Sequence, residues 1–406
     1  MQRFYYFFLL FLTLMSCSTK ETKPLKEGIW LAQLEVMDKE LLPFNFNLKK
    51  IESGYIMDVY NAAETIRVDE IDIYNDSIKI QMPSFEGYIS GTFNDSVING
   101  KFIKESLDRI VPFHAEFGDS IRFHSSANTT VDVSGIWETK FSPDSEDEYF
   151  AKGIFEQHRN KVSGTFRTNT GDYRYLEGIL DGDSLKLSTF DGAHAFLFTA
   201  KATDSSLNGT FYSGNHFKEP FIAYRNESFE LADEESLTFL NEGYEELQFS
   251  FPNSEGTFIS LKDSRFKDKV VVVQIMGTWC PNCLDETKFL SDYVKTKKQG
   301  NFEVVALAFE YAKTRDLAFK SIERLKSRVG VPYPILLAQY ASSSKSKANE
   351  KLPMLNHVLS YPTTIFIDKK GKVRKIHTGF NGPATGQKYI DFKKEFDQYI
   401  ELLLGE

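Results

Sequence analysis

The sequence predicts a multidomain protein in which an all-β N-terminal region is followed by one α/β domain. Two observations predict the β region. Short runs of alternating apolar and polar residues fill residues 28–225, and several sequence patterns occur twice within them. A third observation predicts the α/β domain, because from Phe249 onwards strongly apolar strands alternate with segments of helical periodicity.

Length, charge and cysteine content limit the classes of protein that this chain can represent. Its 406 residues exceed one ordinary domain, so two or three domains are expected. The net charge of -9, without a block of Lys and Arg, argues against nucleic acid as a partner. Its 3 cysteines, Cys17, Cys280 and Cys283, are too few for a disulfide-stapled scaffold or a four-cysteine zinc site.

Residues 1–16 have the pattern of a secretory signal peptide, with Arg3 followed by an apolar run too short to span a bilayer. Ser16 directly precedes Cys17, and this ending resembles the lipobox of bacterial lipoproteins. The resemblance implies cleavage before Cys17 and lipidation of its thiol and new amino group. An ordinary signal peptide with a chance cysteine is the alternative. Residues 17–27 are mostly polar and are predicted to form a tether.

The β region contains an internal repeat. The tripeptide GIW at position 28 recurs at 135, and DSIKI at 76 recurs as DSLKL at 183, both 107 positions later. The pattern DSVINGKF at 95 recurs as DSSLNGTF at 204, an offset of 109. We therefore predict two copies of one β-meander or small barrel, at residues 28–130 and 131–228. The alternative is that common hairpin turns recur independently.

Two further features of this half of the chain bear on function. His194 and His216 of the second copy lie in turn-like sequences and could line a site that faces the C-terminal domain. Histidines in such turns more often only cap their loops. Residues 229–248 are acidic and mixed, and are predicted to be a linker of which part packs as a strand or short helix.

Residues 249–406 are predicted to alternate between strands and helices. Strands are predicted at 258–261, 270–276, 303–309, 335–337, 362–368 and 372–376, and helices at 281–298, 315–329 and 389–404. The strand at 270–276 is almost wholly apolar, so it should be buried on both faces. In the inserted segment 340–359, the Ser/Lys-rich start is expected to be mobile and the apolar end to form a short helix.

A pair of cysteines stands where the buried strand meets the next helix. Trp279 is followed by Cys280, two intervening residues and Cys283, which is the layout of a thiol–disulfide redox site. Glu286 follows three residues later. The run YPTT, which begins at position 361, introduces a downstream strand. Together these motifs resemble thioredoxin-like proteins, and among them the TlpA/ResA-like extracytoplasmic thiol–disulfide oxidoreductases, over roughly residues 249–404.

The position of each cysteine predicts its role. Cys280 lies at the start of the helix, where free N–H groups and the helix dipole favour a thiolate. It should therefore be the more exposed, attacking nucleophile. Cys283 lies one turn further and should resolve the mixed disulfide. The disulfide formed by this pair is the only redox group expected, without a separate cofactor or metal.

The resemblance also implies roles for residues around the cysteines. Pro362, after Tyr361, is implied to be cis and to face the cysteines, so that nearby backbone groups can pair with an extended substrate. Glu286 and Glu310 are candidates to tune the thiols or carry protons, with a solvated surface acid as the alternative. Gln274 stands where thioredoxins carry a buried acid, so any base must come from elsewhere.

The predicted function is a membrane-anchored thiol–disulfide oxidoreductase that reduces protein clients. The resemblance implies disulfide-containing clients, reduction as the direction of exchange, and a periplasmic position in the cell envelope of a Gram-negative bacterium. Reduction in an oxidising compartment would require an electron donor in the membrane. A thiol peroxidase is one alternative, but its motif places Pro and Thr ahead of a single cysteine, and no Pro stands just before Thr278. The other alternative is an envelope protein whose β repeats bind a ligand or partner.

Overall fold

The structure, a computed structural model, describes residues 24–297, 300–342 and 344–406. The predicted signal peptide and Cys17 lie outside these residues. Within them, the chain forms two nine-stranded antiparallel sheets, a two-stranded ribbon and a five-stranded mixed sheet that carries the helices. The predicted fold class, an all-β N-terminal region followed by an α/β domain, is thereby confirmed.

The first sheet is built from consecutive strands over residues 28–117. Its strands are β1 (Gly28–Glu35), β2 (Leu41–Ile51), β3 (Gly54–Asn61), β4 (Glu64–Val68), β5 (Glu70–Tyr74), β6 (Ser77–Gln81), β7 (Tyr88–Phe93), β8 (Val97–Lys104) and β9 (Arg109–Phe117). Their order is β4-β3-β2-β1-β9-β8-β7-β6-β5. The two edge strands are neighbours in sequence but form no ladder with each other in the described chain, so this barrel-like sheet stays open there.

The second sheet follows the same plan over residues 135–225 and closes on itself. Its strands are β10 (Gly135–Phe141), β11 (Tyr149–His158), β12 (Lys161–Thr168), β13 (Gly171–Asp172), β14 (Leu176–Asp181), β15 (Ser184–Phe190), β16 (Ala195–Ala202), β17 (Ser206–Ser213) and β18 (Phe217–Arg225). Strand β11 pairs with both β10 and β12, which closes an eight-stranded barrel with the short β13 attached to β12. We call this unit the second barrel.

A tryptophan marks the equivalent place in the two copies. Trp30 donates from Nε1 to the Lys26 carbonyl at 3.1 Å, and Trp137 donates to the Val133 carbonyl at 2.8 Å. Both indoles are fully buried. The glycine two positions before each tryptophan has a positive φ, +126° and +111°, a conformation that glycine adopts without strain. The recurring GIW tripeptide therefore reflects one local structure used twice.

The C-terminal domain contains the remaining strands and the helices. They are β19 (Ser250–Pro252), β20 (Phe258–Ser260), β21 (Val270–Met276), α1 (Pro281–Thr296), β22 (Phe302–Phe309), α2 (Arg315–Val329), β23 (Ile335–Gln339), α3 (Lys345–Lys351), β24 (Thr363–Ile367), β25 (Val373–Thr378) and α4 (Gln387–Gly405). The main sheet has the order β23-β22-β21-β24-β25. Strands β23, β22 and β21 are parallel to one another. Strand β24 is antiparallel to β21, and β25 is antiparallel to β24. The central β21 is buried along its whole length, as predicted.

The inserted segment 340–359 differs from expectation in both halves. Its Ser/Lys-rich start forms α3, because Ser344 caps the helix by accepting a hydrogen bond from the Lys347 N–H at 3.3 Å. Its apolar end has no regular helix and is buried instead, with Leu355 forming a bridge to Leu240 of the predicted linker. The expected helix was therefore placed in the wrong half of this segment.

The three units share buried side chains at their junctions. Phe190 of the second barrel stacks on Phe44 of the first sheet, with ring centroids 4.4 Å apart, and meets Phe102 edge-on at 5.1 Å. One contiguous apolar core joins the first sheet, the outer face of the second barrel and the C-terminal domain, while the interior of the second barrel forms a separate core. The redox motif is thus held within a jointly packed body.

Candidate active site

Strand β21 and helix α1 place the two cysteines. Cys280 is the N-cap of α1, and Pro281 occupies the first helical position, where a missing N–H removes no helical hydrogen bond. The Cys283 N–H donates to the Cys280 sulfur at 3.3 Å. Both residues are free thiols, with Cys280 7% exposed and Cys283 fully buried. The predicted order of exposure agrees with this geometry.

Burial controls the protonation of the second cysteine. It raises the pKa of the Cys283 thiol well above its ordinary value, and the hydrogen bond to Cys280 and the charge on that residue raise it further. Cys283 therefore retains its proton at neutral pH. A proton acceptor near Cys283 is needed before this thiol can attack.

The loop before β24 forms one wall beside the sulfur. The Tyr361–Pro362 peptide bond is cis, as the resemblance implied. The Tyr361 carbonyl lies 3.3 Å from the Cys280 sulfur and accepts a hydrogen bond from the thiol. The Tyr361 ring meets the Trp279 indole edge-on, with centroids 5.5 Å apart. Trp279 in turn donates from Nε1 to the Phe309 carbonyl at 2.9 Å, which fixes the indole beside the cysteines.

Glu286 lies inside the protein, so the alternative of a solvated surface acid is wrong. Its carboxylate is fully buried and accepts hydrogen bonds from Gln274 Nε2 at 2.8 Å and from the Thr364 hydroxyl. Burial raises the pKa of Glu286 from 4.5 to about 7, although both hydrogen bonds oppose the shift. Gln274 also donates to the Cys283 carbonyl at 3.4 Å. The buried acid missing from β21 is therefore supplied by α1.

Glu310 is also buried, but its contacts differ. It accepts hydrogen bonds from the Thr278 N–H at 2.8 Å and from the Thr278 hydroxyl at 2.7 Å. Burial raises the pKa of Glu310 to about 7, although these two hydrogen bonds lower it. Because both hydrogen bonds to its carboxylate come from Thr278, directly before Trp279, Glu310 positions that segment.

The turn that joins β12 to β13 covers the start of α1. Asn282, between the two cysteines, donates from Nδ2 to the Asp172 carbonyl at 3.1 Å. The Ser360 hydroxyl, next to the cis peptide, donates to the Thr170 carbonyl at 2.8 Å. Sequence reasoning missed this turn, because its residues read as an ordinary hairpin connection.

A buried arginine joins all three units next to the site. The Arg174 side chain is 4% exposed, and its guanidinium contacts Glu64 of β4 and Asp285 of α1. Its Nε also lies 3.8 Å from the carboxylate of Asp191, at the end of β15. The opposite charges offset one another's burial, so the cluster fixes the second barrel against α1.

A cleft of about 550 Å³ opens onto Cys280 between the C-terminal domain and the second barrel. Its aromatic lining residues are Tyr149, Phe150, Tyr173, His194, Phe196, Trp279 and Tyr361. Asn169 and Asn282 also line it, and the amide oxygen of each is buried without a hydrogen-bond partner in the described chain. The cleft therefore offers aromatic surface beside the sulfur.

The other predicted features have a simpler outcome. The described residues contain no cluster of three or more His, Cys, Asp or Glu side chains placed to bind a metal ion. Among the helices that the structure describes, none is long and apolar enough to cross a bilayer. The predicted lipidation site, Cys17, lies outside the described residues.

Comparisons with known proteins identify relatives of this chain. A family model described as Redoxin matches residues 243–389. The thioredoxin-like protein YneN of Bacillus subtilis (strain 168) is 28% identical over 163 residues, which cover 40% of this chain and 81% of YneN. The thiol-disulfide oxidoreductase ResA of Geobacillus kaustophilus (strain HTA426) is 28% identical over 116 residues, or 29% of this chain. That match spans 58% of ResA, less than two thirds of its length.

One solved structure matches part of this chain. The thiol:disulfide interchange protein of the thioredoxin family from Chlorobium tepidum TLS is 19% identical, with a TM-score of 0.30. It covers 40% of this chain and 98% of its own. The Redoxin match and the sequence relatives confirm the predicted resemblance of the C-terminal domain to TlpA/ResA-like proteins. They support thiol–disulfide oxidoreductase as the class of activity.

Proposed function

We propose that this protein reduces disulfides of protein clients through Cys280 and Cys283. The Cys280 thiolate attacks a client disulfide, forms a mixed disulfide and releases one client thiol. Cys283 then attacks the Cys280 sulfur, which forms the Cys280–Cys283 disulfide and releases the second client thiol. Two electrons pass to the client. The observation that carries this proposal is the contact of 3.3 Å from the Cys283 N–H to the Cys280 sulfur beside a buried acid.

Glu286 is the proposed proton acceptor for the resolving step. Its pKa of about 7 lies near neutral pH, so it can take up and release a proton under ordinary conditions. Gln274 bonds both the Glu286 carboxylate and the Cys283 carbonyl, which holds the acid near the resolving cysteine. The Glu286 carboxylate accepts hydrogen bonds from Gln274 and Thr364 and none from the Cys283 sulfur, so the proton would pass through an intervening water.

The client is proposed to bind as an extended segment in the cleft beside Cys280. A cleft of about 550 Å³ has the size of a small-ligand site, and it admits a short stretch of chain rather than the face of a folded protein. The aromatic side chains that line the cleft, among them Phe150, Phe196 and Tyr361, can pack against such a segment. The second barrel would then contribute to client selection, which unites the redox function with the predicted partner-binding role of the β repeats.

The protein is proposed to work at the membrane of the cell envelope. Lipidation of Cys17 would anchor it, residues 17–27 would serve as the tether, and the periplasmic side of a Gram-negative membrane is the proposed location. An electron donor in that membrane would return the cysteine pair to the thiol form. The pair itself is proposed to carry the electrons without a separate cofactor.

Trapping the mixed disulfide tests the proposed reaction. Full-length Cys283→Ser protein is mixed with bacterial envelope extract, and adducts are identified by mass spectrometry. We expect client proteins attached to Cys280 that dithiothreitol releases, and none with the Cys280→Ser, Cys283→Ser control. Absence of any adduct on Cys280 would refute the reaction.

Two further measurements test direction and location. Equilibration of the cysteine pair with glutathione should give a reducing potential, and a value near the roughly −120 mV of strongly oxidising dithiol proteins would contradict client reduction. Metabolic labelling with a palmitate analogue should mark the wild-type protein and not Cys17→Ser. Equal labelling of both proteins would exclude Cys17 as the anchor.

A further inference from the structure

A second cavity, of about 330 Å³, lies where the three units meet. The first sheet contributes Lys104 and Arg109 to its wall, and the second barrel contributes His216. The C-terminal domain contributes the aromatic rings of Trp279 and Tyr311. The cavity therefore combines positively charged groups with aromatic surface, next to the residue that precedes Cys280.

Lys104 is buried in this wall without a carboxylate partner. Its residue is only 8% exposed, and Nζ donates to the Ala193 carbonyl at 3.0 Å. An ammonium group has three donors, so this bond leaves two of them unused. Within the chain that the structure describes, no Asp or Glu oxygen lies within the 4.0 Å salt-bridge distance of Lys104. A buried charge in this condition is costly unless a further partner binds it.

Arg109 adds a second charge with no partner on the described chain. Its guanidinium forms neither a salt bridge nor a hydrogen bond with a described residue. The acids that attract Lys104, Glu86 and Asp191, act from beyond salt-bridge distance, and Asp191 already lies beside Arg174 and His194. The protein itself therefore leaves the positive charge of this cavity unbalanced.

The protonation of the wall fits a negatively charged ligand. Burial, followed by the charge of Arg109, lowers the pKa of Lys104 to about 8, so the ammonium group still predominates at neutral pH. Desolvation of the ring at the cavity wall, followed by the charges of Arg109 and Lys104, lowers the pKa of His216 to about 4. His216 is therefore neutral at pH 7 and can donate one hydrogen bond.

We propose that this cavity binds a small organic anion, a carboxylate carried on an apolar body. The carboxylate lies between Lys104 and Arg109, and the apolar body packs against Trp279 and Tyr311. A volume of about 330 Å³ lies at the lower end of the range for small-molecule sites, which are mainly apolar with a few placed polar groups. This binding function goes beyond disulfide reduction and does not depend on it.

Binding of a model acid and its matched amide to the full-length reduced protein tests the proposal. The probes are 3-phenylpropionate, the neutral 3-phenylpropionamide and inorganic phosphate. Each is titrated into protein in a buffer that contains no phosphate. Calorimetry gives the affinity, and Trp279 fluorescence reports binding beside this indole, since Trp30 and Trp137 are fully buried in their own cores. Because Trp279 also lines the cleft at Cys280, a Lys104 variant is needed to distinguish the two sites. We expect saturable binding of the acid, at least about tenfold tighter than the amide.

Matched variants locate the binding. Lys104→Met should weaken acid binding by at least about tenfold, whereas Lys101→Met, an exposed lysine of the same strand, should leave it unchanged. Equal affinity for acid and amide, or no saturable binding of either anion at millimolar concentration, would overturn the proposal without bearing on disulfide reduction. Phosphate binding as tight as that of the acid would overturn the role of the apolar body.

Discussion

Asn282 and Asp172 are joined by a hydrogen bond of 3.1 Å from the Asn282 side-chain amide to the Asp172 carbonyl. This bond connects the residue between the two cysteines directly to the second barrel. The cleft above Cys280 thus has one wall from the redox domain and one from the β repeats. Substitutions in the β12–β13 turn should therefore alter the structure at the start of α1.

The first prediction concerns the glycine next to Asp172. Gly171 has φ +143°, and a Cβ there would lie 2.0 Å from the Asn282 side-chain nitrogen. Gly54 has a similar φ of +135° with open space around its Cβ position, so Gly54→Ala is a matched control. We expect Gly54→Ala to lower the free energy of unfolding by about 1 kcal/mol through backbone strain. Gly171→Ala should cost about 1–3 kcal/mol more. Equal losses in urea unfolding would show that the contact with Asn282 has no energetic weight.

The second prediction concerns the buried arginine cluster. Arg174→Met leaves Asp285 and Asp191 without their nearest guanidinium, so we expect the free energy of unfolding to fall by about 3–5 kcal/mol. Arg159→Met, an exposed arginine of the same barrel, should change it by less than about 0.5 kcal/mol. Urea unfolding at neutral pH measures both variants. If Arg174→Met matches Arg159→Met, the cluster does not hold the three units together.

The sequence carried enough information to place the cysteines, the repeats and most strands and helices. Periodicity is local, so β21 was predicted with its observed bounds, and helix α2 likewise. The covering of the site was not predictable in this way. Gly171, Arg174 and Lys104 lie far from the cysteines in sequence, and only the closure of the barrel and the packing of Phe190 on Phe44 bring them near.

Predictions from local sequence were wrong where tertiary contacts determine the environment of a residue. Glu286 fell on a helix face that sequence could read as solvated, but Gln274 and Thr364 enclose it. Thr364 belongs to the YPTT motif, so that motif held a signal for the partner of the buried acid. In the inserted segment, the capping residue Ser344 outweighed the apolar composition further on.

The third prediction is a pH dependence that Glu286 imposes on stability. Its pKa in the folded protein, about 7, lies above its ordinary 4.5. Between these values the folded state holds a proton that the unfolded state has lost, so the free energy of unfolding falls as pH rises. Above about pH 7 the cost is complete. Glu286→Gln should therefore stabilise the protein by up to roughly 3 kcal/mol at pH 8 and by much less at pH 4.5.

Urea unfolding of Glu286→Gln and wild type across this pH range checks the sign. The control is Glu350→Gln, an exposed glutamate of α3, for which the difference from wild type should not change with pH. A Glu286→Gln difference that is the same at pH 4.5 and pH 8 would contradict a raised pKa at this site.

The last prediction separates the charge of Lys104 from its packing. Its pKa in the folded protein, about 8, lies below its ordinary 10.5. Below about pH 8 both states bind the proton, so the full cost of the buried charge is present. Between pH 8 and pH 10.5 the folded state loses the proton first, and the cost disappears. Lys104→Met should therefore stabilise the ligand-free protein by up to roughly 3 kcal/mol at pH 7, and this advantage should shrink by pH 10.

The measurement is the difference in urea unfolding between Lys104→Met and wild type, in a buffer free of organic acids and phosphate. Lys101→Met controls for loss of a lysine from the same strand, and its difference from wild type should stay near zero at both pH values. A Lys104→Met difference that stays constant from pH 7 to pH 10 would mean that the buried ammonium carries no cost. In that case the unbalanced charge of the cavity would give no reason for an anion to bind.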